Sequence, residues 1–422
     1  MNQSADGGRF ESERKVVITG IGIISACGLT VKSFWESVVN GRSGAKYITR
    51  FDASNLPSKI AAEITGFDCD NYISHKKNKR YDLGVKYAVA ASMEAVADAR
   101  LNIKKIDVDR IGLIHANSLE GMESAFQVYP TFEKHGYRKL GPEFLLNNYF
   151  GAASGEIAMV HGIRGHAITY SAGSASGSDV ITLAADMIRG GDTDLMLVGA
   201  SEAPLLVQVV AGFCNARVIT RRNDDPKRAM RAFDEDRDGF LLGEGSAFFV
   251  LEEKSFALGR GAEIYAEFAS GGRSCEAYHA VNIHPDGIGI KKCIEKALKK
   301  ARLDHTQIDY INAHGTATDF NDVIEANAIT NFFGKHSDKI SVSATKPVTG
   351  HLLAASGAIE TAICALVIRH QIIPPTINLR KPFATLTLDL VPNVARPFPV
   401  NVAMNLNAGF GGKNSCVILK KL

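Results

Sequence analysis

Residues Ala167-Ile-Thr-Tyr-Ser-Ala-Gly-Ser174-Ala-Ser-Gly-Ser-Asp-Val-Ile-Thr-Leu-Ala-Ala-Asp-Met-Ile-Arg189 run from a short β-prone segment, through small residues, into a helical pattern. The spacing predicts a strand over Ala167–Ser171 and a helix over Ser176–Arg189. Small residues at the turn let a substrate approach the backbone. A helix start there offers free N–H groups and the positive end of a dipole. Two readings of Ser174 stand on the local sequence alone. It is either part of a serine-rich helix cap without chemistry or a nucleophile beside an oxyanion site.

The same alternation continues outward. Val16–Ser25 is a β-branched run suited to a strand buried on both faces. Arg110–Ala116, Leu195–Gly199 and Ala247–Leu251 read as further strands, and Gly84–Arg100 as a helix. A second, comparable series begins near Ala262–Phe268. It has helices at Ile290–Ala301, Asn321–Phe333 and Leu352–His370. Its strands are Tyr310–Ala313, Ile340–Ala344, Val402–Asn405 and Cys416–Leu419. Strands alternating with helices predict an α/β protein with covered sheets, and the two series predict two duplicated halves. The halves are expected at 15–256 and 257–422, joined near Glu252–Arg260, with residues 1–14 a loose extension.

The chain has 422 residues, past the roughly 250–300 at which one hydrophobic core stops growing, which fits two halves. A net charge of +3 with 22% charged residues gives no reason to expect nucleic acid binding. No apolar run approaches the roughly 20 residues that cross a bilayer. Seven cysteines without a CxxC pair argue against a disulfide framework and for a reducing cytoplasm. Cys364, in an apolar stretch, reads as plain core.

Two histidine motifs change the odds on Ser174. His314-Gly-Thr-Ala-Thr318 follows the strand Tyr310–Ala313, and strand ends commonly present catalytic side chains. Lys346-Pro-Val-Thr-Gly-His351 precedes a small-residue helix. As metal ligands the pair lacks a third partner at suitable spacing, so no metal is expected. Asp234-Glu-Asp-Arg-Asp-Gly239 imitates a calcium loop, but its twelfth position is Gly245. It reads as a structural loop. Gly20-Ile-Gly22 lacks the third glycine of a dinucleotide fingerprint.

With these motifs in place the chain resembles the β-ketoacyl-[acyl-carrier-protein] synthases of the thiolase superfamily. The likeness runs from about Lys15 to Lys420. It includes Arg50-Phe-Asp-Ala-Ser54, Gly191–Glu202, Thr220-Arg-Arg-Asn-Asp224, Asp236-Arg-Asp-Gly-Phe240, both histidine motifs and Gly409-Phe-Gly-Gly-Lys-Asn414. The resemblance implies a layered α-β-α-β-α thiolase-like fold and decarboxylative Claisen condensation. It makes Ser174 the nucleophile position and gives His314 and His351 the extender carbonyl to bind. Lys346 becomes their electrostatic support and Glu360 the partner of Lys346. The N–H groups of Ser174 and Phe410 become an oxyanion hole, with Phe410 also a gate. Thr316 and Thr318 would contact the phosphopantetheine arm, and Ser124 and Ala125 would fall near the acyl-pocket floor. Lys76, Arg80, Arg138 and Lys139 would dock an acyl carrier protein. Read from the residues, His75-Lys-Lys-Asn-Lys-Arg80 is equally a solvated helix face. The resemblance implies no cofactor beyond the carrier's phosphopantetheine. The expected assembly is a homodimer, or a heterodimer with a second ketosynthase-like subunit, in the cytoplasm and without nucleic acid or membrane partners.

The family pattern carries cysteine where this chain carries Ser174. A thiolate is accessible near neutral pH, whereas a serine hydroxyl needs a base to take its proton. Slow or absent self-acylation with malonyl decarboxylation partly retained is therefore expected. The serine fits an engineered variant, a natural serine enzyme, or a non-condensing partner subunit of the chain-length-factor kind. The intact histidines, lysine and threonines argue against the last. A malonyl decarboxylase or acyltransferase is the enzymatic alternative. Lys413, Ala408 and His166 also depart from the pattern, at residues expected to shape the gate and pocket.

Overall fold

The computed structural model describes residues 14–78, 81–384 and 386–422, with the Lys76 side chain also left out. The expected 1–14 extension and Arg80 therefore lie, apart from Arg14, outside the described residues.

Among the described residues, ten strands form the main sheet: β1 (Val16–Ser25), β2 (Ile111–Ala116), β3 (Ala167–Tyr170), β4 (Leu195–Glu202), β5 (Gly245–Glu253), β6 (Ala266–Cys275), β7 (Tyr310–Asn312), β8 (Ser341–Ser343), β9 (Val402–Gly409) and β10 (Lys413–Lys420). The helices that matter for the site are α1 (Leu83–Asp98), α2 (Met122–His135), α3 (Ala152–His161), α4 (Ser176–Arg189), α5 (Ile288–Ala301), α6 (Asn321–Phe333), α7 (Lys346–Thr349) and α8 (Ser356–His370).

The first half orders its strands β3-β2-β4-β5-β1 and the second β8-β7-β9-β10-β6, the same sequence shifted by five. The directions repeat too. β2 is parallel to β3 and β4, and β7 to β8 and β9. β5 is antiparallel to β4 and β1, and β10 to β9 and β6. A short antiparallel pairing of β1 with β6 joins the halves, from Val16↔Phe268 to Ile18↔Ala266. This order and these directions are the internal duplication that the two series of elements predict.

Three hydrophobic clusters show the layering. The middle one takes α4, α8 and the inward residues of both halves' strands, with Val180, Ile181, Ile359 and Ile363 fully buried. A second lies between α1, α3 and the first half's outer face. The third joins α5 and α6 to the second half's outer face. The layers are thus α-β-α-β-α, since a sheet apolar on both faces needs cover on each. At the centre, α4 and α8 cross backbone to backbone. A Cβ at Gly177 would sit 2.4 Å from Ala358 N, and one at Gly357 2.5 Å from Ser178 N.

Leu353–His370 is long and apolar enough to span a membrane by composition, but it is 89% buried as the middle-layer helix. Two expectations need correction. The predicted helix at Leu352–His370 begins at Ser356, because Leu353 adopts φ +46 and breaks the helical path after His351. β3 is an edge strand, exposed or half-buried along its length, rather than a covered one. The sequence reading also missed α2 and α3. α2 contains Pro130 and buries only Ser124, so it shows no strong apolar stripe.

Candidate active site

Each half delivers part of one site through a strand-to-helix junction. In the first half the chain leaves β3 and turns at Gly173 (φ +61) into α4. Ser176 stabilises the turn: its Oγ donates to Gly173 O at 2.6 Å and accepts from Ala172 N at 2.7 Å. Ser174, just before α4, is left half-buried with its hydroxyl free to face a cavity. The end of β9 closes on this turn, since a Cβ at Gly409 would lie 3.1 Å from Ser174 N.

In the second half, His314 follows β7. Its N–H donates to Glu325 Oε1 at 2.6 Å, and that of Gly315 to Oε2 at 2.8 Å. Asp322 on the same helix accepts Ala317 N at 3.0 Å, fixing that residue at φ +59. Burial pushes the Glu325 carboxyl up to about 7, against the pull of the two N–H donors. His351 is held by short backbone pairing. Its N–H donates to Leu241 O at 2.7 Å, and its carbonyl accepts Gly243 N at 2.9 Å. Phe240 meets its ring edge-on, with centroids 4.9 Å apart.

Lys346, fully buried at the start of α7, spends its three ammonium protons on three acceptors. They are His314 O at 2.6 Å, His314 Nδ1 at 3.2 Å and Glu360 Oε1 at 2.5 Å. Asn407 Nδ2 donates to the other Glu360 oxygen at 2.6 Å. Burial raises the Glu360 carboxyl, while Lys346 and Asn407 pull it back down. A buried charge this well paired is costly to break.

The same contacts fix the histidine tautomers. An ammonium can only donate, so His314 Nδ1 accepts and its proton sits on Nε2. His351 Nδ1 accepts the Leu353 N–H at 3.2 Å, which likewise places its proton on Nε2. That Nε2 lies 3.2 Å from Ser174 Oγ. The two rings stand edge-on at 5.5 Å. Burial lowers both pKa values well below the ordinary histidine value, and the nearby Lys346 lowers them further. Two neutral imidazoles therefore offer N–H donors, an arrangement that stabilises developing negative charge on oxygen. His351 in this tautomer donates toward Ser174 and cannot take its proton.

Ser174, His314, His351, Thr316, Thr318 and Phe410 all line one cavity of about 270 Å³. Thr316 and Thr318 share a hydroxyl contact of 2.8 Å. Phe410 is 47% exposed at the cavity wall, on a loop tied by Gly411 N to Ala280 O at 2.7 Å. Lys346 and Glu360 lie behind the histidines rather than in the cavity. Ala125 does not line it. Ala125 sits half-buried in α2, and Leu119, just before that helix, lines the wall instead. Ser124 turns to the Asp82 carboxylate. Arg138 and Lys139 are exposed on a short helical turn, Tyr137–Lys139. In the basic run, Lys77 pairs with Glu156.

The calcium-like loop uses its carboxylates on backbone N–H groups and neighbouring side chains. Asp234 accepts Arg380 N and Lys381 N at 2.7 and 2.8 Å, and Asp238 accepts Thr220 Oγ1 at 2.7 Å. Sequence reading missed Glu325, Asp322, Asn407 and Phe240. The only available signal was the pair Asp322 and Glu325, three apart on one helix face just after the His314 motif.

Comparison with known proteins agrees with this geometry. Residues 13–257 match the family model "Beta-ketoacyl synthase, N-terminal domain", and 265–380 match its C-terminal domain. The 3-oxoacyl-[acyl-carrier-protein] synthase 2 of Coxiella burnetii is 38% identical over 410 residues, spanning 97% of this chain and 99% of that one. The protein of the same name from Vibrio harveyi is 38% identical over 412 residues, spanning 97% and 99%. Among solved structures, the ishigamide ketosynthase/chain length factor aligns with TM-score 0.91 at 32% identity, over 97% of this chain and 100% of that chain. AntDE:AntF, a type II polyketide acyl carrier protein in complex with its ketosynthase, aligns at 0.89 and 31%, with the same coverage. The chain belongs to the β-ketoacyl synthase family.

Proposed function

We propose that this protein performs decarboxylative Claisen condensation on acyl-carrier-protein thioesters, in fatty-acid or polyketide synthesis, with acyl loading on Ser174 as its slow step. The observation that carries this reading is the pair of neutral Nε2–H donors beside Ser174 in one cavity. In the first step the Ser174 oxygen bonds to the acyl carbon, the thioester C–S bond breaks, and the carrier thiol leaves with the proton. In the second, the malonyl C–C bond breaks and CO2 departs. The electron pair becomes an enolate whose oxygen accepts the two imidazole protons in hydrogen bonds. The enolate carbon then bonds to the acyl carbon, the ester C–O bond to Ser174 breaks, and the leaving serine oxygen takes a proton from solvent, giving the 3-ketoacyl thioester and free Ser174. The substrates bring their own phosphopantetheine, and no step calls for a further cofactor or metal. Thr316 and Thr318 suit the phosphopantetheine arm, Phe410 the gate, and Arg138 and Lys139 an acidic carrier.

A second reading, malonyl decarboxylation without condensation, is favoured by one observation: His351 faces Ser174 as a donor, so the hydroxyl lacks a base. Malonyl-carrier and acyl-carrier proteins supplied together distinguish the cases. CO2 release with 3-ketoacyl product supports condensation, and CO2 release alone supports the decarboxylase. Neither supports a chain-length-type partner subunit. Intact-protein mass reads Ser174 acylation directly, and rapid stoichiometric loading would overturn the slow-step assignment.

The partner we assign to the first half's edge is a second copy of this chain. β3 leaves its edge open, and Tyr129, Tyr137, Leu145, Leu146, Tyr149 and Met159 are large exposed apolar residues of the segment whose helix α3 packs on β3. Patches of this kind mark interfaces. A dimer in solution by light scattering supports the copy, whereas a monomer that pairs only with a co-expressed ketosynthase-like subunit overturns it. The cytoplasm is the matching compartment.

A further inference from the structure

We propose that Ser356 is a positioning residue that locks His351 as a donor toward Ser174. The inference rests on reading the site as one that stabilises an enolate. Ser356 opens α8, and only 1% of its surface is exposed. Its Oγ lies 2.9 Å from His351 Nδ1 and accepts the Leu352 N–H at 2.9 Å. With an oxygen lone pair held by that N–H, the hydroxyl proton is free to point at Nδ1. Nδ1 therefore meets two donors, the Ser356 hydroxyl and the Leu353 N–H at 3.2 Å. A proton on Nδ1 would oppose the fixed Leu353 donor and leave Ser356 to turn away. The tautomer of an imidazole follows the hydrogen bonds of its far nitrogen, so Ser356, at the shorter distance, together with the Leu353 N–H sets what His351 shows to Ser174.

The row Ser174–His351–Ser356 has the spatial order of a serine triad but reversed polarity. In a triad the third residue is an acceptor that holds the proton on the far nitrogen and frees the near one to act as base. Here the third residue is a donor, which holds the proton on the near nitrogen. The cavity accordingly receives hydrogen-bond donors, which suits an enolate oxygen or carboxylate rather than deprotonation of Ser174.

The test is two-bond 1H–15N NMR on histidine-labelled protein, with His351 assigned through His351→Asn, alongside CO2 release from malonyl-carrier protein. The wild type is expected as the Nε2–H tautomer at His351. Ser356→Ala should give mixed tautomers and about tenfold slower CO2 release, a fraction of losing an oxyanion donor outright. Ser356→Asp should supply the acceptor, move the proton to Nδ1, slow CO2 release further and speed acylation of Ser174. A wild-type His351 with its proton on Nδ1 overturns the proposal without any variant. So does a Ser356→Ala protein that loses thermal stability while keeping tautomer and rate. If the tautomer follows Ser356 but no form releases CO2, the positioning role stands and the catalytic reading fails.

Discussion

The two halves repeat one topology yet present opposite chemistry at the same place. In the first half, residues 171–175 connect β3 to α4 by a tight turn that brings one small hydroxyl, that of half-buried Ser174, to the cavity at a helix start. In the second, residues 344–355 connect β8 to α8. This longer connection has room for the buried helix α7, the Lys346 ammonium and the His351 ring. The strand before it shows the same divergence: β7 leads into His314, and β2 into Asn117. The duplication thus supplies two equivalent junctions that the middle layer forces together, because α4 and α8 touch at Gly177 and Gly357. The short junction places a reacting atom. The long one builds an electrostatic environment around it.

Breaking the second junction should have the largest effect. Lys346→Met leaves Glu360 buried and unpaired, with an expected loss of about 3–5 kcal/mol in thermal or denaturant unfolding. The double variant with Glu360→Gln should recover much of it. Sharpening the first junction comes next. Ser174→Cys should raise acyl loading at least about 100-fold by intact-protein mass, since a thiolate replaces a hydroxyl without a base. It should leave CO2 release without acyl substrate within a few-fold.

The third effect is a pH slope. His314 and His351 stay neutral when folded, whereas unfolded histidine protonates near pH 6.5. Below that pH the unfolded state binds more protons, so stability falls as pH drops, by at most about 1.4 kcal/mol per pH unit per histidine. Glu325, raised to about 7, runs the other way, holding a folded-state proton that is lost as pH rises toward 7. The double variant His314→Asn/His351→Asn should therefore unfold with a shallower decline between pH 7 and 5. An unchanged slope would contradict the neutral assignment. Smallest is the rim: Arg138→Glu should weaken carrier-protein binding several-fold at low salt and little at high salt, as titration calorimetry would register.

Much of the fold was legible because buried strands and middle-layer helices carry strong periodicity. β1 and α4 fall on their expected residues, and α6 likewise. α2 and α3 were not: α2 exposes Tyr129 and Phe132, and α3 buries Ala152, Ala153 and Ile157 while exposing Met159 and Val160, so neither shows a clean apolar stripe. Ser174, His314, His351, Lys346 and Glu360 were legible as motifs. Glu325 and Asn407 were not, because a carboxylate or amide inside an apolar element shows its role only through what it touches. Ala125, expected near the pocket floor, does not line the cavity, and Leu119 just before α2 does.

The sequence by itself determined the family, the duplicated α/β order and the serine at the nucleophile position, since those reside in residue identity and spacing. Only the tertiary structure decided which nitrogen of each histidine carries the proton. That depends on three donors: Lys346 Nζ, 32 residues from His314, and the Leu353 N–H and Ser356 hydroxyl, which lie near His351 in the chain but reach its Nδ1 only through the turn at Leu353. Their direction is set by the crossing of two helices and a left-handed residue, geometry that no local pattern encodes.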